Sequence, residues 1–275
     1  IREIRKINSD FLNGNNKYIS EEIKSYINKK ALYEIKYIYK INERTISLSF
    51  IVFSENEIKK LENLHKYDHY AYRVFLVLDV LFSYANKECS RHQEIKIYMT
   101  PFERKMPKKN SGKILGPEHL NGGVSYVCPK NGEVTIYIKQ EWFKVFIHES
   151  FHNLGFDFAN MDLSNFNKKI YKIFPIKSEF NIFEAYCEFW ALTLNVIIVS
   201  FLELNSRLNI TLEKLMVRFK EYMFIEQTFT YIQVNKILDY MGLKYTDLFD
   251  TEKGYEKEEN STIVREKFNE TTNVF

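Results

Sequence analysis

The stretch that decides how the chain is interpreted is Trp142-Phe-Lys-Val-Phe-Ile-His148-Glu149-Ser-Phe-His152-Asn-Leu-Gly155. Its apolar residues recur at helical spacing, and Gly155 is a residue type that commonly ends a helix. The pattern therefore predicts a helix over residues 141–154. On this helix His148 and His152 lie one turn apart on the same face, with Glu149 beside them.

Two histidines in this His-Glu-x-x-His arrangement can bind one zinc ion, and the glutamate can accept a proton from a water on the metal. A catalytic zinc requires three protein ligands and an open position for water. A further histidine three positions after Gly155 would supply the third ligand, but Phe158 stands there and cannot bind a metal. Asp157 and Asp162 are nearby alternatives.

The better candidate for the third ligand lies in a second apolar stretch, residues 183–204, which we predict to be a long buried helix. Glu184 and Glu188 lie one turn apart on it and share a face. Carboxylates on a buried face are costly unless they are paired or bind a metal. We therefore predict that Glu184 is the third ligand and that Glu188 accepts a hydrogen bond from a ligating histidine, with His148 favoured. Exchanged roles and ordinary salt bridges are the alternatives.

These residues together resemble the gluzincin metallopeptidases, which combine His-Glu-x-x-His with a glutamate on a following helix. The resemblance covers about residues 121–191. It implies a zincin-like fold, one zinc ion bound by His148, His152 and Glu184, and Glu149 as general base. It also implies that an edge strand pairs with extended substrate, the alternative being a tight turn into an ordinary strand. In this chain the edge strand would contain Gly122, Gly123, Val124 and Ser125.

The activity that this resemblance implies is hydrolysis of peptide bonds in a peptide or protein substrate. Zinc would make its water more acidic, and Glu149 would take the proton and later return it to the leaving amine. Related enzymes often add a donor from the C-terminal part, for which nothing ranks Tyr222, Tyr231, Tyr240 and Tyr245. The rival interpretation is a zinc-binding structural or interaction protein without turnover, for example a virion component.

The fold class predicted from the whole chain is α+β, with a mixed or antiparallel sheet and helices packed on one face. Strands are predicted at 33–41, 45–53, 93–99, 123–128 and 133–139, the first two and the last two forming hairpins. Further helices are predicted from residue 54 to about 65, over 70–85 and over 211–240. We divide the chain into a polar, helical N-terminal segment (1–30), a zincin-like domain (31–252, sheet-rich to 140 and helical from 141) and a polar tail (253–275).

Composition narrows the classes of partner. Lys plus Arg is 39 and Asp plus Glu is 36, which is too balanced to favour a nucleic acid or an anionic membrane. The odd number and wide spacing of Cys89, Cys128 and Cys187 do not favour a disulfide framework, so a reducing compartment is expected. Because no signal-peptide pattern is seen, we predict a cytoplasmic location. The many Ile, Lys and Asn residues suggest an AT-rich coding genome, which would also suit a virion-associated protein. Nothing indicates the oligomeric state.

Overall fold

The computed structural model describes residues 2–7, 18–41, 43–109, 111–174, 176, 178, 180–206, 210–248, 267–268 and 270. These residues form an α+β structure with a mixed sheet of six strands, which confirms the predicted class, and eight α-helices. The strands are β1 (Arg2–Lys6), β2 (Tyr33–Ile41), β3 (Arg44–Val52), β4 (His92–Tyr98), β5 (Gly123–Ser125) and β6 (Asn131–Ile136). The helices are α1 (Glu21–Lys30), α2 (Asn56–Lys59), α3 (Leu61–Phe82), α4 (Pro117–Leu120), α5 (Trp142–Asn153), α6 (Ser164–Ile173), α7 (Ile182–Ser206) and α8 (Leu212–Met241).

The chain divides into two compact units, each described here by itself. The first contains all six described strands with α1, α2, α3 and α5, and comprises Ile1–Arg104, Asn121–Phe158 and Cys187–Asn195. The second contains α4, α6 and α8, and comprises Lys105–Leu120, Ala159–Tyr186 and Val196–Phe275. Helix α7 contributes residues to both units.

The sheet has the strand order β1-β2-β3-β4-β6-β5. The pairs at its two ends are antiparallel, whereas β3 with β4 and β4 with β6 are parallel. Parallel neighbours require a crossover connection, and α2 and α3 supply the one between β3 and β4. This order leaves β5 at an edge, next to the strand that leads into α5.

Different helices cover the two faces of the sheet. Successive strand residues point to opposite faces, as Phe50 and Ile51 of β3 illustrate. The Phe50 ring lies 5.3 Å from that of Tyr67 in α3 and 5.7 Å from that of Trp142 in α5, between centroids. Ile51 belongs instead to a buried cluster with Ile27 of α1. The prediction that the helices pack on one face was therefore wrong for α1.

The N-terminal segment also differs from its prediction as polar helix with loops. Of its described residues, Glu21–Lys30 form a helix, whereas Arg2–Lys6 form a strand that pairs with β2. This strand is rich in charge and largely exposed, which is typical of an edge strand and hides the alternation that identifies inner strands.

Two helix boundaries were predicted in the wrong place or missed. The break expected between residues 65 and 70 is at Lys60, whose backbone is extended (φ −97°, ψ 131°). Helix α6 was not predicted, because its Asn- and Lys-rich sequence buries no residue. Helix α8 is one continuous helix, Leu212–Met241, which lies close to the predicted bounds and is capped by Gly242. The predicted tail at 253–275 lies outside the described residues, apart from Lys267, Phe268 and Glu270.

Helix α7 has the predicted length but not the predicted burial. Within Ile182–Asn205, an 18-residue window has a mean hydropathy of 1.7, yet only 28% of that window is buried. The prediction of a buried helix was therefore wrong. Among the described residues this is the one helix that is long and apolar enough to cross a membrane, and a single such helix is weak support for a membrane span.

Cys89 and Cys128 form a disulfide bond, so the prediction against disulfide pairing was wrong; Cys187 is a buried free thiol. The bond joins the starts of two paired parallel strands, because His92 pairs with Asn131 and each cysteine lies three residues before one of them. Disulfides persist mainly in oxidising compartments. The bond therefore argues against the reducing compartment expected, and the cytoplasmic location stays a prediction.

Candidate metal centre

The motif residues lie on α5, which follows β6 and packs against both strands of the β5–β6 hairpin. Its apolar side chains fix its position: Trp142, Phe146 and Ile147 are buried. The helix is followed by Gly155, whose φ of +71° is a left-handed conformation that glycine adopts without strain.

The Nε2 atoms of His148 and His152 lie 3.2 Å apart, with the two rings inclined at 64° to each other. Each ring places its other nitrogen near a carboxylate. Nδ1 of His152 lies 2.6 Å from Oδ2 of Asp157, and Nδ1 of His148 lies 3.3 Å from Oε2 of Glu188. An ionised carboxylate only accepts hydrogen bonds, so both contacts favour the tautomer that carries its proton on Nδ1. The lone pairs of the two Nε2 atoms then converge, which is repulsive unless a metal cation or a proton lies between them.

This geometry fits a tetrahedral zinc site. With Zn–N bonds of about 2.0–2.1 Å, two ligand nitrogens at a tetrahedral angle lie about 3.3–3.4 Å apart. Glu184 completes the group, because its carboxylate and the nitrogens of His148 and His152 offer ligand atoms that all lie within 4.8 Å of one another. The three residues can therefore hold one metal ion, and two imidazoles with one carboxylate form a donor set that zinc uses.

Glu188, one turn after Glu184 on α7, contacts both Lys144 and His148. Nζ of Lys144 donates to its Oε1 at 2.5 Å, and His148 faces its Oε2. Burial by itself raises the pKa of Glu188, but the His148 imidazole and the Lys144 ammonium outweigh burial and hold this pKa well below its usual range. The ionised carboxylate is the form that can accept the Nδ1–H of His148.

The edge strand β5 approaches Glu149 with the two residues that share its inner face. Oγ of Ser125 donates to Oε2 of Glu149 at 2.7 Å. A Cβ at Gly123 would lie 3.0 Å from Cγ of Glu149 and 2.7 Å from Cγ1 of Val145, so a side chain there would displace the helix or the carboxylate. Val124, between them, points to the opposite face and pairs through its backbone with β6.

Gly122 precedes the edge strand and still contacts the sheet. Its carbonyl accepts the N–H of Tyr137 at 3.0 Å. A Cβ at Gly122 would lie 3.2 Å from a guanidinium nitrogen of Arg104, which forms an ion pair with Glu141 at 3.3 Å. The edge that was predicted to meet substrate is therefore bounded by an arginine at its start and by the motif helix along its inner face.

Asn153 joins the C-terminal end of α5 to β4, to β6 and to the residue that follows β5. Its Oδ1 accepts hydrogen bonds from Ser90 Oγ at 2.7 Å and from Gln93 Nε2 at 2.9 Å. Its Nδ2 donates to the carbonyls of Tyr126 and Glu133, both at 3.3 Å. The side chain is fully buried and uses both its acceptor and its donors.

The disulfide lies against the same end of α5. The N–H of Cys128 donates to the carbonyl of His152 at 3.2 Å. A Cβ at Gly155 would lie 3.2 Å from Cβ of Cys128 and 3.4 Å from Sγ of Cys89. The backbone around His152 is thus held both by the disulfide and by the Asn153 amide.

The remaining candidates of the sequence analysis lie in other environments. Asp157, considered as a third ligand, is the partner of His152 Nδ1, and Asp162 accepts hydrogen bonds from Ser164. The hydroxyl of Tyr222 donates to Glu203, and that of Tyr240 to the carbonyl of Lys113. Tyr231 and Tyr245 are exposed. These contacts do not single out any of the four tyrosines as an oxyanion donor.

Sequence reasoning missed three parts of this site. Lys144 carried a usable signal, because it lies one turn before His148 on the same helix face. The hydroxyl of Ser125 was treated only as part of a strand that pairs through its backbone. Asn153 gave no signal, since its four partners come from distant parts of the chain.

No protein-family model matches the chain, and neither a curated protein nor a solved structure matches it.

Proposed function

We propose that this protein is a zinc-dependent peptidase of the gluzincin type, built on a zincin-like fold. One observation carries the proposal: the Nε2 atoms of His148 and His152 converge at 3.2 Å while a carboxylate faces each Nδ1. Ligating histidines are commonly oriented in this way by a hydrogen bond from the other ring nitrogen. The proximity of the Glu184 carboxylate supports it as the third ligand.

The roles of the chain's own residues follow from their positions. A zinc ion at this site would supply Lewis acidity, polarising a peptide carbonyl and making water more acidic. We propose that Glu149 accepts a proton from the attacking water and returns it to the leaving amine. Asp157 and Glu188 hold the imidazoles in the tautomer that leaves Nε2 available for the metal.

The proposed substrate is a peptide or protein segment bound in extended form along β5. The order of the described strands puts β5 at the edge of the sheet, beside the helix that carries Glu149. An edge strand can pair with a peptide through backbone N–H and C=O groups. Gly122, Gly123, Val124 and Ser125 would form this contact through their backbones.

The rival function is a zinc-binding structural protein without turnover. Structural zinc sites are usually closed by four protein ligands, whereas catalytic sites keep one position open. Within the described residues the candidate group has three members, and a glutamate lies next to one of them in sequence. This arrangement favours catalysis over a closed structural site.

Replacing the proposed base tests the function most directly. We expect purified protein to contain about one zinc ion per chain and to cleave members of a quenched fluorescent peptide library. Glu149→Gln should keep the zinc but lose roughly 10²–10⁴-fold in turnover. His148→Ala should lose the zinc itself. Zinc content and initial rates are measured on the same preparations.

The matched control is Glu94→Gln, which removes an exposed carboxylate of β4 in the same unit. It should leave both zinc content and turnover unchanged. Full activity in Glu149→Gln would refute the role of the base. A wild-type protein that binds zinc but cleaves no peptide, with a cobalt-substituted spectrum typical of closed four-ligand coordination, would favour the structural function instead.

A further inference from the structure

We propose that Ser125 is a positioning residue for Glu149: its hydroxyl fixes the carboxylate of the base relative to the metal ligands. This inference rests on the proposed function, in which Glu149 is the general base. It assigns to the edge strand a side-chain role in catalysis, in addition to the backbone pairing with substrate.

The hydrogen bond between the two residues is well formed. Oγ of Ser125 lies 2.7 Å from Oε2 of Glu149 and 3.0 Å from the Glu149 carbonyl oxygen. A hydroxyl has one proton to donate, and hydrogen bonds to an ionised acceptor are shorter and stronger than those to a neutral one. The proton is therefore directed at the carboxylate, and the contact restricts rotation of the Glu149 side chain.

Gly123 leaves room for the same carboxylate. It lies two positions before Ser125, on the same face of β5. The position that its Cβ would occupy is 3.1 Å from Oε1 of Glu149. Gly123 thus leaves space for the carboxylate because it has no side chain, and Ser125 binds the carboxylate through its hydroxyl. Both residues on the inner face of β5 therefore determine where the Glu149 carboxylate lies.

The strand that carries the Ser125 hydroxyl, β5, is held in place by its pairing with β6. Ser125 pairs with Val134 of β6, and Gly123 pairs with Ile136, two residues that are fully buried. Glu149 is buried on α5, which packs against both strands. A peptide that pairs with the outer edge of β5 would therefore be placed in a fixed relation to the base, because one short strand contacts both.

The kinetic test compares Ser125→Ala and Ser125→Thr with wild type. With the peptide that the wild type cleaves best, Ser125→Ala should lower kcat about 10-fold while KM and zinc content change less than about twofold. Ser125→Thr keeps the hydroxyl and should recover most of the lost kcat. The matched control is Ser49→Ala, which removes a 2.6 Å hydrogen bond to Glu34 elsewhere in the sheet and should leave kcat unchanged.

A second measurement, on metal-free protein, needs no substrate. Loss of a hydrogen bond to a charged group should lower the Tm of Ser125→Ala by about 3–6 °C. In a Glu149→Ala background the same substitution should lower Tm by less than half as much, because the carboxylate is gone and only the weaker hydrogen bond to the backbone carbonyl of residue 149 remains. Undiminished kcat in Ser125→Ala, or equal Tm shifts in both backgrounds, would overturn the inference and leave the proposed function standing. Absence of peptide cleavage by zinc-loaded wild type would overturn both.

Discussion

The two histidines lie one turn apart on α5 but in unlike surroundings. His148 faces Glu188, whose side chain is 45% exposed and also forms an ion pair with Lys144. His152 faces Asp157, whose side chain is 1% exposed, and the next residue, Asn153, is fully buried. The helical spacing places both rings equally well, but burial and charge hold them differently. We infer that the His152 end anchors the centre in the fold, whereas the His148 end is held by partly solvated charges.

The largest expected effect comes from removing the disulfide at the anchored end. It joins residues 39 apart in sequence, for which loop-closure entropy predicts about 4 kcal/mol of stabilisation. Cys89→Ala combined with Cys128→Ala should lower the free energy of unfolding in urea by about that amount. Dithiothreitol should destabilise the wild type and leave the double variant unchanged. Equal urea midpoints for the two proteins would show that the disulfide does not anchor this end.

A smaller loss is expected for Asn153→Ala, about 2–3 kcal/mol, because two buried donors and two partly buried carbonyls lose their partner. Asn153→Asp keeps the acceptor for Ser90 and Gln93 but replaces the donor with a carboxylate facing two carbonyls. It should therefore be about as destabilising, as measured by urea unfolding. Asn63→Ala, which removes a solvent-facing hydrogen bond, is the control and should cost less than about 0.5 kcal/mol. A loss no greater than that control would remove Asn153 from the anchor.

The contrast between the two ends also shows what the sequence could predict. Local spacing predicted the helix, the one-turn separation of the histidines and the pairing of Glu184 with Glu188 on one face, because helix geometry alone determines these relations. It also predicted five of the six described strands, four from their apolar β-rich pattern and the edge strand β5 from the turn signal that joins it to β6. The charged β1 was missed because nothing in its pattern distinguishes an exposed strand from polar helix.

The anchored end was not predictable in the same way, because its contacts join segments far apart in sequence. Cys89 and Cys128 lie near each other only if β4 and β6 are parallel neighbours, and the sequence analysis left their order in the sheet open. Asp157 was considered as a ligand, since a carboxylate five residues after His152 can serve either purpose until its burial and direction are known. Burial of α7 was overestimated from its apolar composition alone.

The smallest of the expected effects separates the two carboxylates that face the imidazoles. Asp157→Asn should weaken zinc binding about 10–100-fold, because a buried, oriented partner of a ligating histidine is lost. Glu188→Gln should weaken it less than about 10-fold, since Glu188 is more exposed and its longer contact with His148 is partly replaced by water. Both affinities are measured by competition with a chromogenic chelator, and Asp162→Asn, which removes a carboxylate that accepts hydrogen bonds from Ser164, is the control that should not change affinity.

If both variants lose equal affinity, burial does not distinguish the two ends and the inferred anchor at His152 has no consequence for the metal. A larger loss for Glu188→Gln would reverse the assignment, because the charged end would then hold the metal more firmly than the buried one.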